Sequence, residues 1–432
     1  MDKKFLGNRI SDVENMLFPK LVLSGDNSTE FTLTLGDKKI EGEIGASESE
    51  TVLIPELGTW HCEYTIGGLT KSKDIAITTA MTTVNETLGA NVYGVAWDGT
   101  SSTSWTRTDK AANFVDPVPA VSSGNGSSPF DTLMPWSGME VSERTAGKMV
   151  SIPKFWYKIE QTGDNGIKVQ IADNEKAGFS VSPAHMDRGD GKGERDVVYI
   201  GRYHCATSTY KSTTGVKPVA SITRSAARTS IHNLGTNIWQ CDFAMRFTLW
   251  LLYIVEFADW NSQAKIGKGC GNNSATANMG YTDSMTYHTG TTQSSRDTYG
   301  LGTQYRHIEG LWDNVLDWTD GCYYDANGMN VILNPSNYSD TTGGTLVGSL
   351  TSGYPSQFEV KDSAPYPMML PVASSGSDST YSCDYWSYGS SGPCLNMGGS
   401  YSQSGYYGML YVYSSGASYT YASIGSRLQE LP

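Results

Sequence analysis

Short runs of alternating apolar and polar residues, separated by glycine-containing turns, are the feature that most limits the folds open to this chain. Its 432 residues include 47 glycines and 26 tyrosines, while charged residues make up only 17%. This composition favours many turns and short strands over long amphipathic helices. We therefore expect a β-rich fold of the α+β class, and the length predicts two domains.

The N-terminal part of the chain has the pattern of a small all-β domain. Residues 31–35 and 40–44 alternate between apolar and polar side chains, and Gly67 with Gly68 indicates a hairpin. Several strands at this spacing predict a small β-sandwich. His61 and Cys62 fall on one of these strands, where a packed strand pair is expected and a metal site is not.

One segment has the spacing of a core helix. Apolar residues recur three and four positions apart between residues 233 and 260, and residues 235–237 can cap such a helix. We expect the helix to bury these side chains: Trp239, Phe243, Phe247, Trp250, Leu251, Ile254 and Phe257. Arg246 and Glu256 are expected to face solvent or a polar neighbour.

Charge and hydropathy exclude several function classes. The net charge of −13 argues against a nucleic-acid partner, which needs clustered Lys and Arg. The longest apolar run, residues 247–257, is too short to insert into a membrane. The first residues lack the apolar core of a signal peptide, so we expect synthesis in a cytoplasm.

Metal and disulfide chemistry have weak support. The seven cysteines form no CxxC pair, so free thiols are expected, although Cys383 and Cys394 could pair. Alternating carboxylates at 187–196 can ligate calcium, but the spacing of an EF-hand loop is absent and a solvated hairpin loop is favoured. We expect no cofactor or metal, with calcium left open.

Three motifs in the second half resemble one family. Residues 308–321 (IEGLWDNVLDWTDG) resemble the Asn-Val-Trp-Glu-Trp stretch of the formylglycine-generating-enzyme type of C-type lectin fold. Residues 398–401 (GGSY) resemble its Gly-Gly-Ser-Trp, and residues 424–428 (IGSRL) its Gly-Phe-Arg close. The resemblance implies a C-type lectin fold over residues 89–432.

The early parts of the chain resemble phage proteins. Residues 54–60 (IPELGTW) are similar to Ig-like domains of phage structural proteins, and residues 97–100 (WDGT) and 152–156 (IPKFW) look like phage tail proteins with the lectin fold. These resemblances imply an Ig-like β-sandwich attachment domain over residues 1–82. Residues 79–88 are expected to form a linker.

The chain departs from the enzymes of that family. Their reactive cysteines lie between the Gly-Gly-Ser and Gly-Phe-Arg motifs, whereas here Cys383 and Cys394 precede the first motif and none follows it. Thiolate chemistry needs its sulfur at the site, so we expect no enzyme activity. His288 and His307 could approach Asp313 or Asp317, but a structural role is favoured for each histidine. Asp313, Asn314 and Asp317 could hold a calcium ion, and capping or core hydrogen bonds explain them as well.

Residues 381–421, called the tail of this chain below, are rich in Tyr, Ser and Gly, the residues that antibody paratopes use. The tail resembles the hypervariable region of diversity-generating-retroelement target proteins, in which adenine-directed mutagenesis rewrites codons within a lectin frame. This implies a variable region at about 376–426, although some tyrosines could instead pack in the core or at a subunit interface. The expected ligand-binding residues are Asp384, Tyr385, Trp386, Tyr388, Tyr401, Ser402, Ser404, Tyr406, Tyr413, Ser415, Tyr419 and Tyr421.

The function that these features predict is that of a phage or prophage tail receptor-binding protein. It would bind a bacterial surface protein or glycan and contact other virion tail proteins through its N-terminal domain. The resemblance implies a homotrimer at a tail tip or fibre of the virion, made in the host cytoplasm. The alternatives are a formylglycine-generating-enzyme-like lectin-fold enzyme and a bacterial surface adhesin.

Overall fold

A computed structural model describes residues 18–25, 28–45, 48–66, 69–80, 82–269, 273–362, 365–387, 392–403 and 407–432. The chain divides into two compact units. The first extends to Asn91 and includes Ala172–Phe179, and the second comprises Val92–Ile171 and Ser180–Pro432. Strands far outnumber helices, so the fold is β-rich and of the α+β kind.

The described residues of the first unit form seven strands: β1 (Lys20–Gly25), β2 (Thr29–Leu35), β3 (Lys38–Ile44), β4 (Glu48–Leu53), β5 (Gly58–Ile66), β6 (Leu69–Ile77) and β7 (Thr83–Thr87). They form two sheets, in the orders β4-β1-β7 and β3-β2-β5-β6. Leu21 and Leu23 of the first sheet share an apolar core with Phe31, Leu33 and Trp60 of the second. This is the expected β-sandwich.

Two details of this unit test the expectations from sequence. His61 and Cys62 lie on β5, where His61 Nδ1 is 2.7 Å from Asp74 Oδ1 across the strand pair and Cys62 is buried. The strand-pair prediction is therefore confirmed. The linker prediction is wrong, because β7 pairs in parallel with β1 within residues 79–88, and Leu88 enters the core. The hairpin glycines, Gly67 and Gly68, lie outside the described residues.

The second unit contains the remaining strands: β8 (Val92–Trp97), β9 (Trp105–Asp109), β10 (Ala120–Val121), β11 (Val141–Arg144), β12 (Gly147–Pro153), β13 (Trp156–Thr162), β14 (Gly166–Ala172), β15 (Ser180–Val181), β16 (Val197–Gly201), β17 (Ile238–Gln240), β18 (Gly290–Thr291), β19 (Thr303–Tyr305), β20 (Ile308–Glu309), β21 (Leu316–Trp318), β22 (Cys322–Asp325), β23 (Gly328–Val331), β24 (Thr345–Gly348), β25 (Gln357–Lys361), β26 (Met368–Ala373), β27 (Trp386–Ser387), β28 (Cys394–Met397), β29 (Val412–Ser415), β30 (Ile424–Ser426) and β31 (Leu428–Glu430). Its helices are α1 (Arg224–His232), α2 (Phe243–Phe257) and α3 (Ser262–Lys265), with 3-10 turns at Trp136–Gly138 and Pro335–Asn337.

The strands of the second unit form small sheets around α2. Three sheets have five strands each, in the orders β11-β12-β16-β31-β17, β15-β13-β14-β8-β9 and β27-β29-β28-β21-β30. Every residue of α2 is buried, so this helix is the centre of the main apolar core.

The predicted core helix exists but begins later than expected. Asp242 caps it, because its side chain accepts a hydrogen bond from Met245 N at 2.7 Å. The preceding residues Ile238–Gln240 pair with β31 instead of continuing the helix, which corrects the expected start near residue 233. No helix among the described residues has both the length and the apolar character needed to cross a membrane.

Candidate functional site

The three family-like motifs meet in one sheet. β21 from the first motif pairs in parallel with β30 from the last, with Asp317 opposite Gly425. β28, which leads into the Gly-Gly-Ser-Tyr motif, pairs with the other edge of β21, with Asp317 opposite Met397. Segments far apart in the sequence therefore form one continuous frame.

The centre of this frame is a buried ionic cluster around Asp317. Its carboxylate accepts hydrogen bonds from His204 Nδ1 at 2.8 Å, Arg246 Nη2 at 2.5 Å and Arg427 Nε at 3.1 Å. Burial alone would raise the pKa of Asp317, but His204, Arg427 and Arg246 hold it well below its usual range. The histidine beside Asp317 is thus His204, and not His288 or His307 as sequence allowed.

The other acidic residues of the first motif also bond to protein groups. The Asp313 carboxylate accepts from Tyr281 Oη, from Thr303 Oγ1 at 2.7 Å and from Thr303 N at 3.1 Å. The Asn314 side chain bonds both polar atoms of the Ala277 backbone. Within the described ranges, no group of three or more His, Cys, Asp or Glu side chains is arranged to hold a metal ion.

The acidic loop at 187–196 likewise makes internal contacts. Asp187 Oδ1 accepts from Gly189 N at 2.8 Å, and Asp190 Oδ2 accepts from Arg195 Nη2. These contacts are those of a hydrogen-bonded loop, the structural alternative to a calcium site.

Glycines of the frame are required by close approach of the backbone. Gly398 has φ of 84°, and a Cβ there would lie 2.1 Å from Leu311 O. A Cβ at Gly408 would lie 2.5 Å from Asp384 Oδ1 and 2.7 Å from Ser262 Oγ. Neither position accepts a side chain without a shift of its neighbours.

The expected apolar anchors of the tail take the core. Leu395, Met397, Leu410, Val412 and Ile424 are all buried, as predicted. They lie on or beside β28, β29 and β30, whereas Ser402, Tyr413, Tyr419 and Tyr421 between them are exposed.

Three of the expected ligand-binding residues are instead buried, which corrects that part of the prediction. The Asp384 carboxylate accepts hydrogen bonds from Gly408 N at 2.9 Å and Leu410 N at 2.8 Å. These bonds fix the backbone just before β29. Burial raises the pKa of Asp384 to about 7.

The other two buried residues are held by partners distant in sequence. The Trp386 ring packs 5.7 Å from the ring of Trp250 on α2. Ser415 Oγ accepts from Asn396 Nδ2 at 3.0 Å across the β28–β29 pair. These side chains belong to the frame and not to a display surface.

Four expected residues are exposed: Ser402, Tyr413, Tyr419 and Tyr421. The tyrosines are 38%, 40% and 56% exposed, and they are among the most exposed large apolar side chains of the described residues. Tyr385 and Tyr401 are half-buried. Tyr388, Ser404 and Tyr406 lie outside the described residues.

Ring contacts arrange the tyrosines into two sets on and beside β29. In the first, Tyr411 lies 4.4 Å from Tyr407 and stacks on Tyr413 at 6.4 Å. In the second, the rings of Tyr419 and Tyr421 meet edge to face at 5.2 Å in the loop that follows β29. Tyr411 is buried, as expected for a residue of the frame, and Tyr407, which sequence reasoning missed, packs against it.

Another missed contact comes from outside the tail. The ring of Tyr354 meets that of Tyr385 edge to face at 5.1 Å, so a residue some thirty positions earlier supports the predicted surface. No local signal in the sequence relates these two positions.

The cysteines near the site are poorly suited to thiolate chemistry. Cys383 and Cys394 are buried free thiols and do not form the disulfide that sequence left open. Burial raises the pKa of Cys394 to about 11 and that of Cys383 well above its ordinary value. Both sulfurs are therefore protonated near neutral pH.

Comparison with protein-family models and with curated proteins finds no match to this chain. The geometry of the frame and of the tyrosine sets is therefore what a functional proposal must rest on.

Proposed function

We propose that this protein is a tail receptor-binding protein of a phage or prophage. Its second unit would be a C-type lectin scaffold that displays variable Tyr, Ser and Gly residues to a ligand on the host surface. The observation that carries the proposal is the exposure of Tyr413 on β29 and of Tyr419 and Tyr421 in the loop that follows it, beside a sheet whose frame residues are buried and hydrogen-bonded.

The lectin assignment is supported by the way the family-like motifs come together. Asp317 and Arg427, one from each end of the resemblance, form an ion pair at 3.1 Å and are both buried. Gly398 of the central motif lies against the backbone of Leu311 in the first motif. Motif order, pairing and contacts thus agree with one scaffold.

The display surface is supported by chemistry as well as exposure. Tyrosine offers a large amphipathic contact area with few torsions to fix, and aromatic residues dominate binding hot spots. No lysine or arginine lies in the sequence from Tyr413 to Tyr421, so contacts there rely on rings and hydroxyl groups. A bacterial surface protein or glycan with little charge fits such a surface.

The first unit would serve as an Ig-like attachment domain. Its four-stranded order β3-β2-β5-β6 opposite β4-β1-β7 is that of a two-sheet sandwich with connections that cross between the sheets. We infer that it contacts other tail proteins of the virion, that the assembly is a homotrimer, and that neither nucleic acid nor membrane insertion is involved. The net charge of −13 supports the exclusion of nucleic acid.

The enzyme alternative has less support. The raised pKa values of Cys383 and Cys394 keep both thiols protonated, and the reaction of the formylglycine-generating family needs a thiolate. We therefore propose a binding protein without a cofactor.

Sequencing the DNA beside the gene tests the proposal. We expect a reverse transcriptase gene and a near-copy of the 3′ end of the coding sequence that differs at adenines. The differing positions should include the codons of Tyr413, Tyr419 and Tyr421. They should spare Gly398 and Gly408, whose positions admit no Cβ. A neighbourhood without either element, or variation concentrated at the frame glycines, would contradict the proposal.

A further inference from the structure

A second candidate site lies in the second unit, away from the tail. A cleft of about 310 Å³ opens between the end of α1, the loop that leads to β17, and the 3-10 turn Pro335–Asn337. This volume is at the lower end of the range for small-molecule sites, about 300–1,000 Å³. The ligand would therefore be small.

One wall of the cleft is a preformed aromatic surface. The ring of His232 stacks on that of Trp239 at 3.9 Å and 18°, and Tyr338 meets Trp239 edge to face at 6.4 Å. The Tyr338 hydroxyl donates to Asp242 Oδ2 on the core side, which fixes the ring. His232 Nδ1 lies 2.9 Å from Ile238 O and must carry a hydrogen, because a carbonyl only accepts. The rings are thus held before any ligand arrives.

The lining of the cleft also includes polar groups that no protein partner uses. Among the described residues, the side chains of Asn233 and Ser336 make no hydrogen bond within the protein, and both residues are exposed. An amide and a hydroxyl group can each donate and accept. These groups lie beside an aromatic wall, a combination that fixes the orientation of a ligand with an apolar face and a polar edge.

The charges around the cleft are balanced. Arg228 bonds Asp320 at 2.5 and 2.8 Å and Asp340 at 2.6 Å. Arg224 also bonds Asp340, at 2.9 Å. Two guanidinium groups therefore face two carboxylates, and neither an anion nor a cation finds an unpaired counter-charge.

We propose that this cleft binds an uncharged saccharide of one or two rings. The C–H face of a pyranose would lie on the aromatic wall that His232, Trp239 and Tyr338 form, and its hydroxyl groups would bond Asn233 and Ser336. The site is distinct from the tyrosine surface and adds a separate carbohydrate contact. It does not depend on the proposed function of Tyr413, Tyr419 and Tyr421.

Saturation-transfer NMR on the full chain tests this site. The probes are free glucose, galactose, mannose, rhamnose and N-acetylglucosamine at millimolar concentration, with adenosine and glucuronate as an aromatic and a charged comparison. We expect transfer to at least one neutral sugar and less to adenosine and glucuronate. Trp239→Leu should abolish the transfer, and the pair Asn233→Ala with Ser336→Ala should weaken binding at least tenfold.

The Ala pair changes only exposed side chains, so it keeps the test valid if Trp239→Leu does not fold. The variant Tyr413→Ala, Tyr419→Ala, Tyr421→Ala should bind the sugar like the unaltered chain, so failure of the tyrosine surface and failure of this cleft give different results. The proposal is overturned if no neutral sugar shows transfer, if adenosine or glucuronate binds better, or if the Ala pair changes nothing. Loss of transfer in the tyrosine variant alone would also overturn it, by placing sugar binding on the tail.

Discussion

Two neighbouring regions of the second unit differ in whether their polar side chains are buried or exposed. Around Asp317, charged groups from α2, β21 and the residue after β30 are buried and bonded to one another. In the segment from Tyr413 to Tyr421, the tyrosines are exposed and meet mainly other rings. Substitutions should therefore be costly in the buried cluster and much less costly at the exposed tyrosines, where we propose the recognition surface.

The largest effect should follow from breaking the buried cluster. Asp317→Ala leaves Arg246 and Arg427 buried without their carboxylate, a change that costs roughly 3–5 kcal/mol. Chemical denaturation should show the loss. Asp116→Asn is the matched control, because it removes a carboxylate that is 63% exposed and bonds Arg107 at 3.2 Å. The control should cost no more than about 1 kcal/mol, and equal losses would refute the contrast.

A frame glycine should give the next largest effect. Gly398→Ala combines a left-handed φ of 84° with a Cβ only 2.1 Å from Leu311 O, so the backbone must shift. Gly189→Ala shares the left-handed conformation, with φ of 70°, but its Cβ would meet open space. We expect the Gly189 variant to lose about 1 kcal/mol and the Gly398 variant clearly more. Similar melting temperatures for the two variants would show that the contact with Leu311 is unimportant.

The pH dependence of stability should show a smaller, graded effect. Burial raises the pKa of Asp384 from 3.8 to about 7 in the folded chain, so the folded state binds more protons between these values. The free energy of unfolding should therefore fall as pH rises from about 4 to 7, by up to about 1.4 kcal/mol per pH unit from this group.

Glu309 contributes in the same direction, since burial raises its pKa to about 7. Asp384→Asn should therefore flatten the slope without removing it. Urea titrations of both chains at several pH values measure this difference. An unchanged slope in the variant would show that Asp384 ionises normally.

Sequence predicted the parts of the fold that depend on local pattern. The period of apolar residues gave the core helix, and alternation gave the strands of the sandwich and the buried anchors Leu395 and Val412. The helix start was misplaced, because residues 238–240 pair with β31 at the far end of the chain. A strand of three residues is too short to show a clear alternation of apolar and polar residues, so the helical spacing of the neighbouring apolar residues decided the prediction.

The burial of site residues was harder to predict, because it depends on distant partners. Nothing local to Asp384 indicates that its carboxylate will bond Gly408 N and Leu410 N. Tryptophan is a residue type common in binding hot spots, yet Trp386 packs on Trp250 of α2. Residue type predicted which side chains suit recognition, and only tertiary packing decided which of them reach solvent.

Binding to host cells tests the central claim most directly. A bacterial strain that the unaltered chain binds is compared with the variant Tyr413→Ala, Tyr419→Ala, Tyr421→Ala. A second variant, Val115→Ala, Val118→Ala, Leu346→Ala, is the matched control, because these side chains are 73%, 53% and 51% exposed outside the tail.

We predict that the tyrosine variant loses at least tenfold in affinity, about 1.4 kcal/mol or more, while the control binds normally. Each tyrosine substitution should change the free energy of unfolding by no more than about 0.5 kcal/mol. Unchanged binding of the tyrosine variant, or its unfolding, would contradict the account.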